Sequence, residues 1–225
     1  MTFLDIGCGA GELACTLAER GMKGIAIDLS EKAVEMASNM RDSRGIDKTN
    51  LQFKLGGLEK VSGKKYDLVS CLEVLEHIED DIKLLNELIS HSKQYVLISV
   101  PAKKRLYDSS DESVGHFRRY EKLDLLKILH DANLNIIKFA NYGYPFTDIV
   151  RVGRKAVFKA RLLKNKNESM CDRSKDSGIN PVRIPRAIKI IDIEKAVIPF
   201  YQMSRVFNGY DLSEGYLVLC EKKQN

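Results

Sequence analysis

The sequence predicts an α/β chain: a doubly wound, mostly parallel sheet of seven strands, with a helical insertion before the last one. Three observations carry that prediction. Residues 3–14, FLDIGCGAGELA, pass from an apolar run through a glycine turn into a helical pattern. Short β-rich runs and amphipathic stretches then alternate as far as residue 140. Beyond residue 145 the alternation stops, and two apolar-striped helical stretches precede a final strand.

Phe3, Leu4 and Ile6 form the first strand, Gly7, Gly9 and Gly11 the turn, and Leu13, Ala14, Leu17 and Ala18 one face of the following helix. GIAID (24–28) is the second strand, with Ser30 as N-cap of a helix in EKAVEMASNM. LQFKL (51–55), YDLVSC (66–71) and YVLISV (95–100) are strands, and EHIEDDIKLLNELISH (76–91) is an amphipathic helix between the last two. EKLDLLKILHDA (121–132) is a helix and LNIIKFA (134–140) a strand. Strands that alternate with helices are joined by crossovers, so the sheet is mostly parallel, covered on both faces, and collects ligands at its strands' carboxyl ends. Residues 146–164 then place Ile149, Val152, Ala156, Ala160 and Leu163 on one helical stripe, with Arg151, Arg154, Lys155, Lys159 and Arg161 elsewhere. A polar link, a second helical stretch (184–207) broken near Pro199, and the strand GYLVLCEK (215–222) complete the chain. Residues 1–145 with 208–225 are therefore read as one ligand-binding domain, and 146–207 as a helical insertion or lid.

With 44% hydrophobic and 30% charged residues, the composition is that of an ordinary globular protein rather than a disordered one. Five cysteines without paired or zinc-binding spacing point to reduced thiols and a cytoplasmic protein. No apolar run is long enough for a membrane span, and no secretory leader is visible. Residues 1–100 hold 12 Lys and Arg against 16 Asp and Glu, net −4, whereas residues 101–225 hold 24 against 15, net +9. The basic half suits an anionic or lipid-linked partner or peripheral contact with an acidic membrane, or is simply a solvated basic face. Aromatics are not interleaved with the basic residues, which argues against nucleic acid.

Glycines at alternate positions let the backbone approach a ligand, and the helix start adds unpaired N–H groups. Asp28 ends the second strand, where an acid accepts the hydroxyls of a ribose. Glu12 stands where the third glycine of a dinucleotide fingerprint would be, so a nucleoside without phosphates fits better.

LDIGCGAGELA, AIDLS and YDLVSCLEVLEHIEDD, in that order, resemble the first, second and fourth motifs of the class I S-adenosylmethionine-dependent methyltransferases, over residues 3 to about 140. The resemblance implies a Rossmann-like fold and S-adenosylmethionine as cofactor. It places the methionine portion at Asp5, Gly7 and Gly9 in a loop completed by Gly11, and the ribose at Asp28 and Leu29. Adenine falls at the turn of Gly57 and Leu58, and the methyl-transfer pocket at Cys71, Leu72 and Glu73. Two departures stand out. KLGGLEK lacks the carboxylate that many relatives place after strand three, and the chain opens on strand one, where relatives usually carry upstream helices, so a truncated start, a misassigned start and a chain with weak cofactor binding all stay open.

Methyl transfer to a hydroxyl needs a base, and His77, Glu73 and His116 are the candidate catalytic residues. Glu73, Glu76 and His77 fall at i, i+3 and i+4, one face if helical. This EVLEH string resembles the Glu-x-x-Glu-His of ubiquinone-pathway and small-RNA 2′-O-methyltransferases, where it holds a divalent ion. A metal on Glu73, Glu76 and His77, a base or pocket role, and a purely structural role all stay open. His116, Arg118, Arg119 and Tyr120, in GHFRRY at the opening of a helix, either bind the acceptor or pair with Asp108, Asp111 or Glu112. His91 and His130 are surface residues late on helices.

The resemblance thus implies an O-methyltransferase with a small-molecule, glycan or lipid-linked acceptor. An RNA or tRNA methyltransferase and a non-catalytic S-adenosylmethionine-binding protein are the alternatives.

Overall fold

Alternating burial along the strands divides the core into two layers, one on each face of a central sheet. The computed structural model describes residues 1–61, 63–143 and 214–223. In β1 (Thr2–Ile6) the side chain of Phe3 joins one apolar cluster with Ala14, Cys15, Ala26 and Leu51, while Leu4 and Ile6 join the other. Buried from both sides, the strand is a continuous apolar run interrupted by Asp5.

The other elements follow in chain order. They are α1 (Glu12–Glu19), β2 (Lys23–Asp28), α2 (Glu31–Ser43), β3 (Leu51–Leu55), β4 (Tyr66–Leu72), α3 (Asp81–His91) and β5 (Ser92–Pro101), then α4 (Ser109–Val114), α5 (Lys122–Asp131), β6 (Leu134–Tyr142) and β7 (Gly215–Lys222). Among the described residues seven strands form one sheet in the order β3-β2-β1-β4-β5-β7-β6. Pairing is parallel from β3 through β5 and antiparallel at β5-β7 and β7-β6. The predicted fold class is thereby observed. Strand order reverses between β1 and β4, the place where sheets of this kind open a crevice.

Three local expectations differ. The helix expected from residue 76 begins only at Asp81, where Asp80 acts as N-cap and accepts the Lys83 N–H at 2.9 Å. Leu75–His77 forms a separate 3₁₀ turn, closed off by Ile78 in extended conformation. GHFRRY follows a helix instead of opening one: Asp108 and Asp111 build a reciprocal capping box for the short α4, and Gly115 ends it with φ 84. Ser30 sits at an N-cap position, but its side chain makes no cap bond.

The Glu214 N–H donates to the Tyr142 carbonyl at 3.0 Å, closing the ladder at the tip of the β6–β7 pair. The insertion expected over 146–207, with its basic helix and membrane contact, lies outside the described residues. Among the described residues no helix is long and apolar enough to cross a membrane, and Cys8, Cys15, Cys71 and Cys220 are free thiols.

Candidate active site

A cavity of about 900 Å³ opens at the carboxyl ends of β1 to β4. One wall is mainly backbone. Gly7 (φ 67) and Gly9 (φ 51) take left-handed conformations, and the N–H groups of Gly7 and Cys8 both donate to the Ile27 carbonyl, at 2.9 and 3.1 Å. A Cβ on Gly7 would run into the Val74 side chain, whereas one on Gly9 would meet nothing within 4 Å, so the space over Gly9 is open to a ligand. Asp28 props the loop: Oδ2 accepts the Gly9 N–H and Oδ1 the Ser30 N–H, both at 2.8 Å.

Asp5 lies buried beneath that loop, 2.7 Å from the Ser70 hydroxyl. Burial pushes its carboxyl up to about 7, with Ser70 pulling it down and the Asp28 charge raising it. Leu29, Gly57, Leu58 and Leu72 line the same cavity, and Glu59 braces the turn after β3 by accepting the Gly57 N–H at 2.9 Å. Two expected cofactor residues stand behind the wall instead. Gly11 is the N-cap of α1 (φ 87), and its bare Cα makes room for Ala37 and Phe53. Cys71 points into the core, fully buried, because β4 alternates and Leu72 takes the cavity side.

The opposite wall is made of side chains: Glu73, His77 and His116 face the cavity. The single helical face expected for Glu73, Glu76 and His77 does not form. Glu73 follows β4 in a left-handed conformation (φ 55), and its carboxylate accepts hydrogen bonds from the hydroxyls of Ser99 and Tyr142. Glu76 turns inward from the 3₁₀ turn, is fully buried, and has no hydrogen-bond partner at either oxygen among the described residues.

His77 and His116 meet edge to face, ring centroids 4.6 Å apart. The two segments that carry them are tied by the Phe117 N–H, which donates to the Glu76 carbonyl at 2.7 Å. Each ring is anchored through Nδ1. His77 Nδ1 is 3.2 Å from the Gly115 carbonyl, which only accepts, so this nitrogen carries the proton. His116 Nδ1 donates to Asp111 Oδ1 at 2.8 Å, and Arg119 Nε clamps both Asp111 oxygens at 2.9 and 3.0 Å. His77 Nε2 is left as an acceptor, and His116 Nε2 lies 3.9 Å from Glu76 Oε1. Burial and the neighbouring His116 lower His77 to about 4, so it stays neutral at physiological pH. Burial alone would raise Asp111, but the His116 hydrogen bond and the Arg119 charge outweigh it and hold the carboxyl below its usual range.

Arg119 and Tyr120 are therefore buried structural residues: Tyr120 donates to Asp81 at 2.7 Å, and Arg118 pairs with the same carboxylate at 2.8 Å. The metal-capable group is Glu76, His77 and His116, with ligand atoms within 4.8 Å of one another, and it includes His116 where Glu73 was expected. Two imidazoles facing a buried carboxyl that accepts no hydrogen bond from the described residues fit a divalent ion. The role of Tyr142 was not read from the sequence, since it lies 69 positions from its partner Glu73; Asp111 carried a weak signal in the D-x-x-D capping pattern.

A family model described as a methyltransferase domain matches residues 1–138. The chain is 38% identical over 93 residues to the ubiquinone biosynthesis O-methyltransferase of Rickettsia felis, covering 41% of this chain and 37% of the relative. It is 26% identical over 166 residues to the protein of the same name from Vibrio cholerae, covering 67% and 68%. Among solved structures, the magnesium protoporphyrin IX methyltransferase of Synechocystis PCC 6803 with bound SAM superposes with a TM-score of 0.53 at 29% identity, over 64% of each chain. The matched region is thus little more than a third of the Rickettsia relative and about two thirds of the other two.

Proposed function

The chain belongs to the methyltransferase-domain family, and from that premise we propose that it binds S-adenosylmethionine and methylates a hydroxyl of a small molecule. One observation carries the reading: a backbone-walled half and a two-histidine half share one cavity. Gly7, Gly9 and Asp28 hold the methionine and ribose portions of the cofactor, and the Gly57–Leu58 turn packs on adenine by backbone and apolar contact. When bound, S-adenosylmethionine would supply a sulfonium-activated methyl carbon open to in-line attack by the acceptor oxygen, the neutral thioether being the group displaced. The residues on the opposite wall orient the acceptor and take its proton. His116 Nε2 receives that proton, and Asp111 stabilises the imidazolium that forms. His77 stays neutral and limits water access on that side of the cavity.

The names of the relatives support a small-molecule acceptor. A second reading has its own observation, the buried Glu76 carboxyl, which accepts no hydrogen bond from the described residues and faces His116 Nε2 at 3.9 Å. Glu76, His77 and His116 would hold a divalent ion, which would lower the proton affinity of the acceptor hydroxyl.

Titration calorimetry with S-adenosylhomocysteine tests the premise, and methyl transfer from labelled S-adenosylmethionine to catechols and other hydroxyl compounds tests the reaction. Binding with transfer is expected; a chain that binds no S-adenosylhomocysteine removes the proposal. Activity that disappears in chelator and returns with magnesium, manganese or zinc selects the second reading.

A further inference from the structure

Glu73 is a non-glycine residue held at φ 55, a conformation that costs roughly 1 kcal/mol or more and persists only where its surroundings enforce it. Three groups do so. The Glu73 N–H donates to the Ser99 carbonyl and lies 3.1 Å from the Ser99 hydroxyl as well. Ser99 Oγ in turn donates to Glu73 Oε1 at 2.7 Å, and the Tyr142 hydroxyl donates to the same oxygen. Both donors converge on Oε1. Oε2 accepts no hydrogen bond from the described residues, and it belongs to a side chain that lines the cavity.

Tyr142 reaches Glu73 only because residue 215 has no side chain. Gly215 is paired with Tyr142 across β6 and β7, and a Cβ there would fall inside the tyrosine ring. The backbone of Gly215 is not in the left-handed region, so the glycine answers to the ring's need for space and not to a turn. Burial and the Glu73 charge push the Tyr142 hydroxyl upward, which keeps it a donor.

We infer that Tyr142 is a positioning residue: with Ser99 it fixes Glu73 Oε1 and presents Oε2 at the end of β4, as the hydrogen-bond acceptor for an O–H group of the bound substrate next to the one that is methylated. The inference rests on the reading of the cavity as a methyl-transfer site, and it deepens that reading by giving the acceptor a hydrogen-bond donor directed at Glu73. The loss of one hydroxyl in Tyr142→Phe frees the carboxylate to rotate. Gly215→Ala displaces the ring while leaving the hydroxyl in the sequence, so two chemically different changes converge on one contact.

Both variants are compared with the wild-type full chain in three measurements. S-adenosylhomocysteine affinity by calorimetry stays within about twofold, since the backbone wall is untouched. With 3,4-dihydroxybenzoate as the hydroxyl-bearing probe, kcat/KM falls about tenfold or more in each variant, while KM for S-adenosylmethionine is unchanged. A crystal structure of Tyr142→Phe with S-adenosylhomocysteine shows the Glu73 carboxylate in a new rotamer. Wild-type probe kinetics in Tyr142→Phe, or a Glu73 carboxylate that has not moved, overturns the inference. If the wild-type chain binds S-adenosylhomocysteine but methylates neither this probe nor the other hydroxyl compounds, the hydroxyl-transfer reading fails, and the Glu73 rotamer alone then decides the role of Tyr142.

Discussion

The two walls of the cavity are built by opposite means. The wall of Gly7, Gly9 and Asp28 is backbone, shaped by positive φ and by one carboxylate that caps two loop amides from within 30 residues of the chain start. The wall of Glu73, His77 and His116 is side chain, assembled from separate segments through tertiary hydrogen bonds to Ser99, Gly115, Asp111 and Tyr142. A backbone wall recognises a constant ligand, because its groups are the same whatever side chains surround it. A side-chain wall can be respecified residue by residue, as a variable acceptor requires. The division predicts that each wall can be damaged without the other.

The largest effect is expected at the side-chain wall. His116→Ala removes the proton acceptor of the proposed reaction and should lower turnover by about 10³-fold, mid-range for general base catalysis, with S-adenosylhomocysteine affinity unchanged. A matching loss of affinity in calorimetry would show that the walls are not separable.

Next is Asp5, beneath the backbone wall. Its carboxyl sits at about 7 in the folded chain against 3.8 unfolded, so the folded state keeps a proton that the unfolded state releases. The stability it contributes is fully present below about pH 4 and is lost as pH rises to about 7. Asp5→Asn should abolish that slope and raise unfolding free energy at pH 8 by on the order of 4 kcal/mol, read from urea melts across the window. Parallel slopes in wild type and variant would exclude a proton on Asp5.

The smallest concerns Asp28→Ala. Loss of the loop cap and of the ribose contact should weaken S-adenosylhomocysteine binding by about 2 kcal/mol, roughly thirtyfold, while the His77–His116 contact persists in a crystal structure. Unchanged affinity would mean that the loop holds its shape without the carboxylate.

The same contrast explains what could be read in advance. Glycine spacing, the acid ending the second strand and the strand-helix alternation are local signals, so the sheet, the loop and the place of Asp28 at the cavity were legible. The helical face expected at Glu73, Glu76 and His77 failed because Asp80 is the stronger N-cap and starts α3 late, leaving a 3₁₀ turn that aims Glu76 inward. That Leu72 and not Cys71 reaches the cavity depends on the phase of β4, which a strand buried on both faces does not reveal. Tyr142 was beyond reach for another reason. Its partner is set by the pairing of two antiparallel strands and by the empty space at Gly215, and neither leaves a mark near residue 73.

The hydrogen bond between the Glu214 N–H and the Tyr142 carbonyl holds together two residues that are far apart in sequence, at the tip of the β6–β7 ladder. In engineering terms this is a socket. The closure entropy of whatever is plugged in grows only logarithmically, by about 0.6 kcal/mol for each doubling of length, so segments of different size could be exchanged there at little cost to the sheet. Because Tyr142 also donates to Glu73, this join lies one side chain from the side-chain wall of the cavity and away from the glycine loop.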